Sequence, residues 1–155
     1  MMSQVFVSGH KSPDTDSIAA ALSYSYLKRR LGMDAVAVRA GEINKESRFA
    51  LDYFDLEEPI LVTSVARKNP EDEKQKVILV DHNESKQTID GMDDAEVLEI
   101  IDHHRFGDFE SENPIFILVR PVGCVNTVIY GLYKANHIKP VSYTHLRAHE
   151  TDSYL

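Results

Sequence analysis

Short stretches dominated by apolar residues recur along the chain at Gln4–Ser8, Ala35–Val38, Pro59–Val62, Val77–Val80, Val97–Ile101 and Ile115–Val119. Runs of four or five residues without strict alternation mark strands buried on both faces. Between them lie helix-forming segments: Ser17–Leu31, with Ile18, Leu22 and Leu31 among its apolar contacts and Gly32 as its stop, then Lys45–Phe54, then Gly123–Asn136. Arg67–Lys76 holds a proline and almost no apolar residue, which reads as a surface loop. No internal repeat is present. Alternating strands and helices predict an α/β fold, a doubly wound, mostly parallel sheet with flanking helices.

In such sheets ligands bind beyond the carboxyl ends of the strands. Three polar clusters fall there: His10, Asp14 and Asp16 after the first run, Asp81 after the fourth, and Asp102, His103 and His104 after the fifth. Carboxylates crowded into one cleft raise each other's pKa unless cations compensate them, so bound divalent metal is the expected partner. The donors are carboxylate oxygen and imidazole nitrogen, a set that suits manganese, cobalt or magnesium better than a thiolate zinc site. Manganese leads, because imidazole favours a transition metal. Each cluster also has a plainer reading: Asp14 or Asp16 can simply cap a helix beginning at Ser17, and Asp81 can be a turn residue. Adjacent His103 and His104 are harder to explain by packing, and the three clusters together favour a metal site.

Composition narrows the function classes. The 155 residues suffice for one domain, and 43% hydrophobic content can build one core. A formal net charge of −8 argues against a general nucleic-acid binder, which gains affinity by neutralising phosphates. No apolar run approaches the ~18 residues of a membrane span, and the N-terminus lacks a signal-peptide pattern, so neither nucleic acid nor membrane is an expected partner. The single cysteine, Cys124, agrees with a reducing compartment and a cytoplasmic location.

The segments Gly9–Ser17 (GHKSPDTDS), Val80–Glu84 (VDHNE) and Ile101–Arg105 (IDHHR) resemble, in order and spacing, the first three motifs of the manganese-dependent (family II) inorganic pyrophosphatases of the DHH phosphoesterase superfamily. Arg120–Tyr130 is similar to the junction that follows the third motif. The resemblance implies hydrolysis of pyrophosphate to two phosphates by a water activated between two Mn(2+) ions, with cobalt or magnesium as substitutes. It implies that His10 and Asp14 bind one metal, that Asp16 and His103 bind the second, and that Asp81 bridges both. His104 would be the catalytic group contacting substrate phosphates, and Asp102 would orient the paired histidines. Lys11 lies in the same loop and either faces phosphate or is solvated. Intact relatives often form homodimers. The competing readings are a phosphodiesterase acting on short oligonucleotides or cyclic dinucleotides, and a metal-binding fragment without catalysis. The relatives with phosphodiesterase activity typically carry Asp-Gly-Asp where this chain has Asp14-Thr15-Asp16, which favours pyrophosphatase.

The resemblance weakens after Pro140. Residues 1–140 are expected to form the DHH-type domain up to a point before the family's fourth motif, with no basic C-terminal substrate clamp following. Residues 141–151, VSYTHLRAHET, read as a one-frame translation of a transposon-derived sequencing adapter, so 141–155 are expected not to be native and their His145, His149, Glu150 and Asp152 not to be ligands. Little or no turnover is expected of this length of chain.

Overall fold

The computed structural model describes residues 3–141; the 142–155 segment, with nearly all of the adapter-like stretch, lies outside the described residues. Six strands form one parallel sheet: β1 Val5–Ser8, β2 Ala35–Arg39, β3 Ile60–Leu61, β4 Lys76–Val80, β5 Glu96–Asp102 and β6 Phe116–Val119. Their order is β3-β2-β1-β4-β5-β6. The chain winds outward from β1 in both directions, so a crevice opens at the carboxyl ends of β1 and β4, the switch point of a doubly wound sheet. The expected sheet is therefore present, with every observed pairing parallel.

Strand residues alternate between two cores, as a pleat of period two requires. Val7, Ile78, Val80 and Ile101 pack with α1 (Thr15–Arg30) and α3 (Val125–Ala135) through Ala20, Tyr24, Leu27, Val128 and Tyr133. Val38, Val77, Leu79 and Ile100 point the other way, against Val65, Ile89, Met92 and Phe109. The covering there differs from the expected flanking helices: it comes from connecting segments and two 3-10 turns, Ser85–Gln87 and Met92–Asp94. Those connections are rich in Asp, Glu, Gly and Pro and carry no helical period. The remaining helix, α2 (Lys45–Tyr53), docks on the first turn of α1, where Thr15 Oγ1 lies 3.2 Å from Ser47 Oγ.

A bulge in β5 sets the register of the site. Val77 pairs with Val97, but Ile78 pairs with Glu99, so Leu98 is extra. Leu98 packs into the helix-side core, and Glu99 is turned to the same side, accepting from Tyr24 OH at 2.5 Å and pairing with Lys28 Nζ at 2.8 Å. The extra residue thereby sets which face each of Ile100 and Ile101 takes, and Asp102 lies buried at the strand's end.

Helix boundaries moved for identifiable reasons. α1 begins two residues before the expected Ser17 because Asp14 is its N-cap, accepting from the Ser17 N–H at 2.8 Å. It ends as expected at Gly32, whose φ of 97° continues the chain in the left-handed region. There the Gly32 and Met33 N–H groups bond the Arg29 and Lys28 carbonyls at 3.0 and 2.9 Å. Leu31 is a correction: as C-cap it is half exposed rather than a core contact. β3 shrinks to two exposed residues at the sheet edge.

Candidate metal centre

The loop after β1 carries His10. Gly9 makes room for it, since a Cβ there would sit 1.7 Å from Ser17 Oγ. That hydroxyl accepts from the His10 N–H at 3.1 Å and sets the loop's path. Asp14 caps α1 and Asp16 lies in its first turn. Asp81, one residue past β4, has a φ of 63°, a conformation an aspartate tolerates better than a β-branched residue and one that collects at functional sites. Its N–H donates to the Ile101 carbonyl at 3.0 Å, tying the ends of β4 and β5 together.

Asp81 is central. Its Oδ2 lies 3.4 Å from His10 Nε2, which is 3.7 Å from Asp14 Oδ1. Its Oδ1 lies 3.0 Å from His103 Nε2, which is 3.7 Å from Asp16 Oδ2. One buried carboxylate thus offers a separate oxygen to each of two His–Asp pairs. Together with Gln87, His104, Gly123 and Cys124 these groups line a cleft of about 310 Å³.

The histidines are held from behind. His103 Nδ1 lies 2.9 Å from the Val122 carbonyl, which leaves Nε2 facing the cleft. Asp102 is fully buried; its Oδ1 accepts from the His103 N–H at 2.7 Å and from His104 Nδ1 at 2.7 Å. Asp102 therefore orients the His104 ring and the backbone of the pair, while the His103 ring takes its orientation from Val122. His104 Nδ1 is 3.9 Å from Asp81 Oδ1, and its side chain is about half exposed at the cleft mouth. Lys11 does not line the cleft; its ammonium pairs with Asp90 and its N–H donates to the Gln87 carbonyl at 2.7 Å.

Two supporting residues had no role from sequence. Asn83 Nδ2 donates to Asp102 Oδ2 at 2.7 Å and to the Arg105 carbonyl at 3.0 Å, while its Oδ1 accepts from the Gly107 N–H at 2.6 Å. Asn126 Nδ2 donates to Asp16 Oδ1 at 2.6 Å. Asn83 sits inside a recognisable motif, and Asn126 inside the Arg120–Tyr130 junction, which were usable signals, but nothing in the sequence pairs Asn126 with Asp16, 110 positions away. His82 is buried with Nδ1 2.9 Å from the Val80 carbonyl, and burial lowers its pKa to about 4, so it packs as a neutral imidazole.

The charges call for cations. The carboxylate of Asp14, then that of Asp81, both close to Nε2, raise His10 to about 10 despite desolvation. The bond to Asp81 raises His103 to about 9, also against desolvation. Burial, then the neighbouring Asp81 charge, pushes Asp16 up to about 6. For Asp81 burial acts upward, but the adjacent His10 imidazolium and the hydrogen bond from His103 outweigh it and hold it at about 2. Without bound metal the histidine protons would compensate the carboxylates, and divalent cations can replace them. Oxygen and imidazole donors grouped within coordinating reach fit that exchange, with His10, Asp14 and Asp81 forming one group and Asp81, Asp102, His103 and His104 another.

A family profile described as "DHH family, N-terminal domain" matches residues 4–150. Over 138 residues the chain is 49% identical to a protein of Exiguobacterium sp. strain AT1b named "Probable manganese-dependent inorganic pyrophosphatase", covering 89% of this chain and 43% of the relative. A Bacillus cereus protein of the same name is 47% identical over 157 residues, covering 99% and 49%. The chain spans about half the length of these curated relatives. A Methanococcus jannaschii crystal structure described as a family II inorganic pyrophosphatase superimposes with a TM-score of 0.74 at 38% identity, over 86% of this chain and 40% of that one. An exopolyphosphatase-related protein from Bacteroides fragilis shares the fold, with a TM-score of 0.58 at 16% identity over 85% of this chain and 39% of that one.

Proposed function

This chain belongs to the DHH family, and on that premise we propose that it forms the metal-binding part of a manganese-dependent inorganic pyrophosphatase, hydrolysing pyrophosphate to two phosphates. The observation that carries the proposal is the division of Asp81, whose two oxygens face His10 with Asp14 and His103 with Asp16. These five residues would hold two Mn(2+) ions, with Asp81 shared. Bound there, divalent cations supply Lewis acidity that activates water near neutral pH and offsets phosphate charge.

The chain's own groups do the rest. Asp102 keeps the His104 ring fixed at the cleft mouth, and with Nδ1 committed to that carboxylate, Nε2 is the ring atom presented to a phosphate oxygen. Once both histidines give up their protons their Nε2 lone pairs face the cleft, and Asp14, Asp16 and Asp81 supply negative charge to retain the cations. An acidic protein can in this way bind an anionic substrate. Lys11, paired with Asp90, has no part in this scheme.

No helix among the described residues is long and apolar enough to cross a membrane. The reading includes a cytoplasmic protein without nucleic-acid or membrane partners. It also includes homodimer formation through an exposed edge such as β6, where Phe116 and Ile117 are exposed.

The test is phosphate release from pyrophosphate, compared with dinucleotides, by the gene product at the length of its relatives, with Mn(2+) present and host pyrophosphatase removed. Preferential turnover of pyrophosphate, abolished by Asp81→Ala, is expected. Preference for dinucleotides would overturn the substrate assignment, and activity surviving Asp81→Ala would overturn the site.

A further inference from the structure

Asn126 is a fully buried polar side chain on the second residue of α3. Its Nδ2 makes two bonds, both to one residue: Asp16 Oδ1 at 2.6 Å and the Asp16 carbonyl at 3.1 Å. Its Oδ1 accepts from Ser23 Oγ at 3.3 Å, so the partners on each side settle which end of the amide is nitrogen. The neighbouring Val125 N–H, among the first N–H groups of α3 and without a helical acceptor, donates to Asp16 Oδ2 at 3.2 Å.

These bonds divide the work of the Asp16 carboxylate. Oδ1 is taken by the amide. Oδ2 takes the longer backbone bond and faces His103 Nε2 at 3.7 Å, so it retains a lone pair directed at the cleft. Asp14 contrasts with this: it is more than half exposed and is held by the Ser17 N–H of its own helix. One His–Asp pair is therefore assembled within the β1–α1 loop, and the other is braced across the molecule by α3.

We propose that Asn126, with the Val125 N–H, is a positioning residue for the second cation subsite: it presents Asp16 to the ion through Oδ2 alone, beside His103, and so sets that subsite's affinity independently of the His10–Asp14 subsite. The proposal rests on the two-cation reading above. An outer partner of a metal ligand typically changes affinity by ~10–100-fold when removed.

The experiment titrates the 155-residue chain with Mn(II), following bound metal by calorimetry and its environment by electron paramagnetic resonance. The wild type is expected to bind two ions and show a spin-coupled pair. Asn126→Ala should weaken one site ~10–100-fold, leave the other within ~3-fold, and replace the coupled spectrum by that of an isolated ion at intermediate Mn(II). Asn126→Ser, which keeps one donor, should fall between. Asp16→Ala should weaken the same site as Asn126→Ala, and Asp14→Ala the other. Should Asn126→Ala not fold, as judged by circular dichroism, the serine variant must show the same selective weakening. Unchanged constants in a folded Asn126 variant, or equal weakening of both sites, would overturn the positioning role while Asp16→Ala still acts selectively. A wild type that binds fewer than two ions, or is indifferent to Asp16→Ala, would overturn the two-cation reading and the proposal with it.

Discussion

Mn(II) binding to this chain should expel close to two protons at pH 7.5. In the metal-free protein the neighbouring carboxylates of Asp14 and Asp81 hold His10 at about 10, and the bond to Asp81 holds His103 at about 9. An ion that takes the Nε2 lone pairs displaces both protons, because imidazole binds metal only when neutral. Groups titrating that far above pH 7.5 are more than ~95% protonated there, so the expected release is ~2 protons per chain. The competition also sets the affinity, since each unit between pKa and pH costs about tenfold. At pH 7.5 that is ~300-fold at the His10 subsite and ~30-fold at the His103 subsite, and each subsite should tighten ~10-fold on raising the pH to 8.5.

Isothermal titration calorimetry in two buffers of different ionisation enthalpy, at pH 6.5, 7.5 and 8.5, reads both quantities. His10→Ala and His103→Ala should each lower the proton count by about one. Release of less than one proton, together with affinity that does not vary over this range, would refute the assignment of protonated His10 and His103 as the groups the cations replace.

Without metal, the same histidines stabilise the fold most below their ordinary pKa of 6.5, and their contribution drains away as pH rises through about 9 and about 10, so melting temperature should fall between pH 6.5 and 9.5 and Mn(II) should restore it. A flat or rising profile by differential scanning fluorimetry would contradict this sign. Asn83→Ala leaves the buried Asp102 Oδ2 and the Arg105 carbonyl without their donor, a loss of about 1–3 kcal/mol seen as a drop of several degrees in melting temperature. Gly9→Ala drives a Cβ into Ser17 Oγ and should destabilise the chain, but the same change in a Ser17→Ala background should cost much less. Additive melting shifts for that pair would show that the Ser17 contact is not what requires glycine.

Chemistry was the most legible part of the sequence, because it rides on residue types at strand ends, and a parallel sheet gathers those ends on one edge. The runs ending at Asp81 and Asp102 marked both the strands and the candidate donors at their ends, and the β1-to-β4 switch point explains why His10 and Asp81 meet. What the sequence left unread was produced by contacts rather than composition. The β5 bulge is invisible in Val97–Ile101, where five mostly apolar residues look the same with or without an extra one, yet it sets the face on which Glu99, Ile100 and Ile101 lie. Leu31 matched a helical stripe but sits at the cap, past the last turn that touches the sheet. Lys11 was readable as a charge near phosphate, and only the fold supplies Asp90 as its partner.

The asparagines show the limit most clearly. A polar residue early in a helix ordinarily faces water, so Asn126 reads as surface until α3 is laid against α1 and its amide meets Asp16. A motif therefore specifies which donors exist, whereas the assignment of oxygens to imidazoles belongs to the backbone. The left-handed Asp81 splits its carboxylate between two histidines, and α3 turns one Asp16 oxygen away from the cleft. On the two-cation reading, two subsites of unequal construction follow from these two features, and the subsite braced by α3 is the one whose affinity should respond to changes in packing more than ten residues along the chain from its proposed ligands.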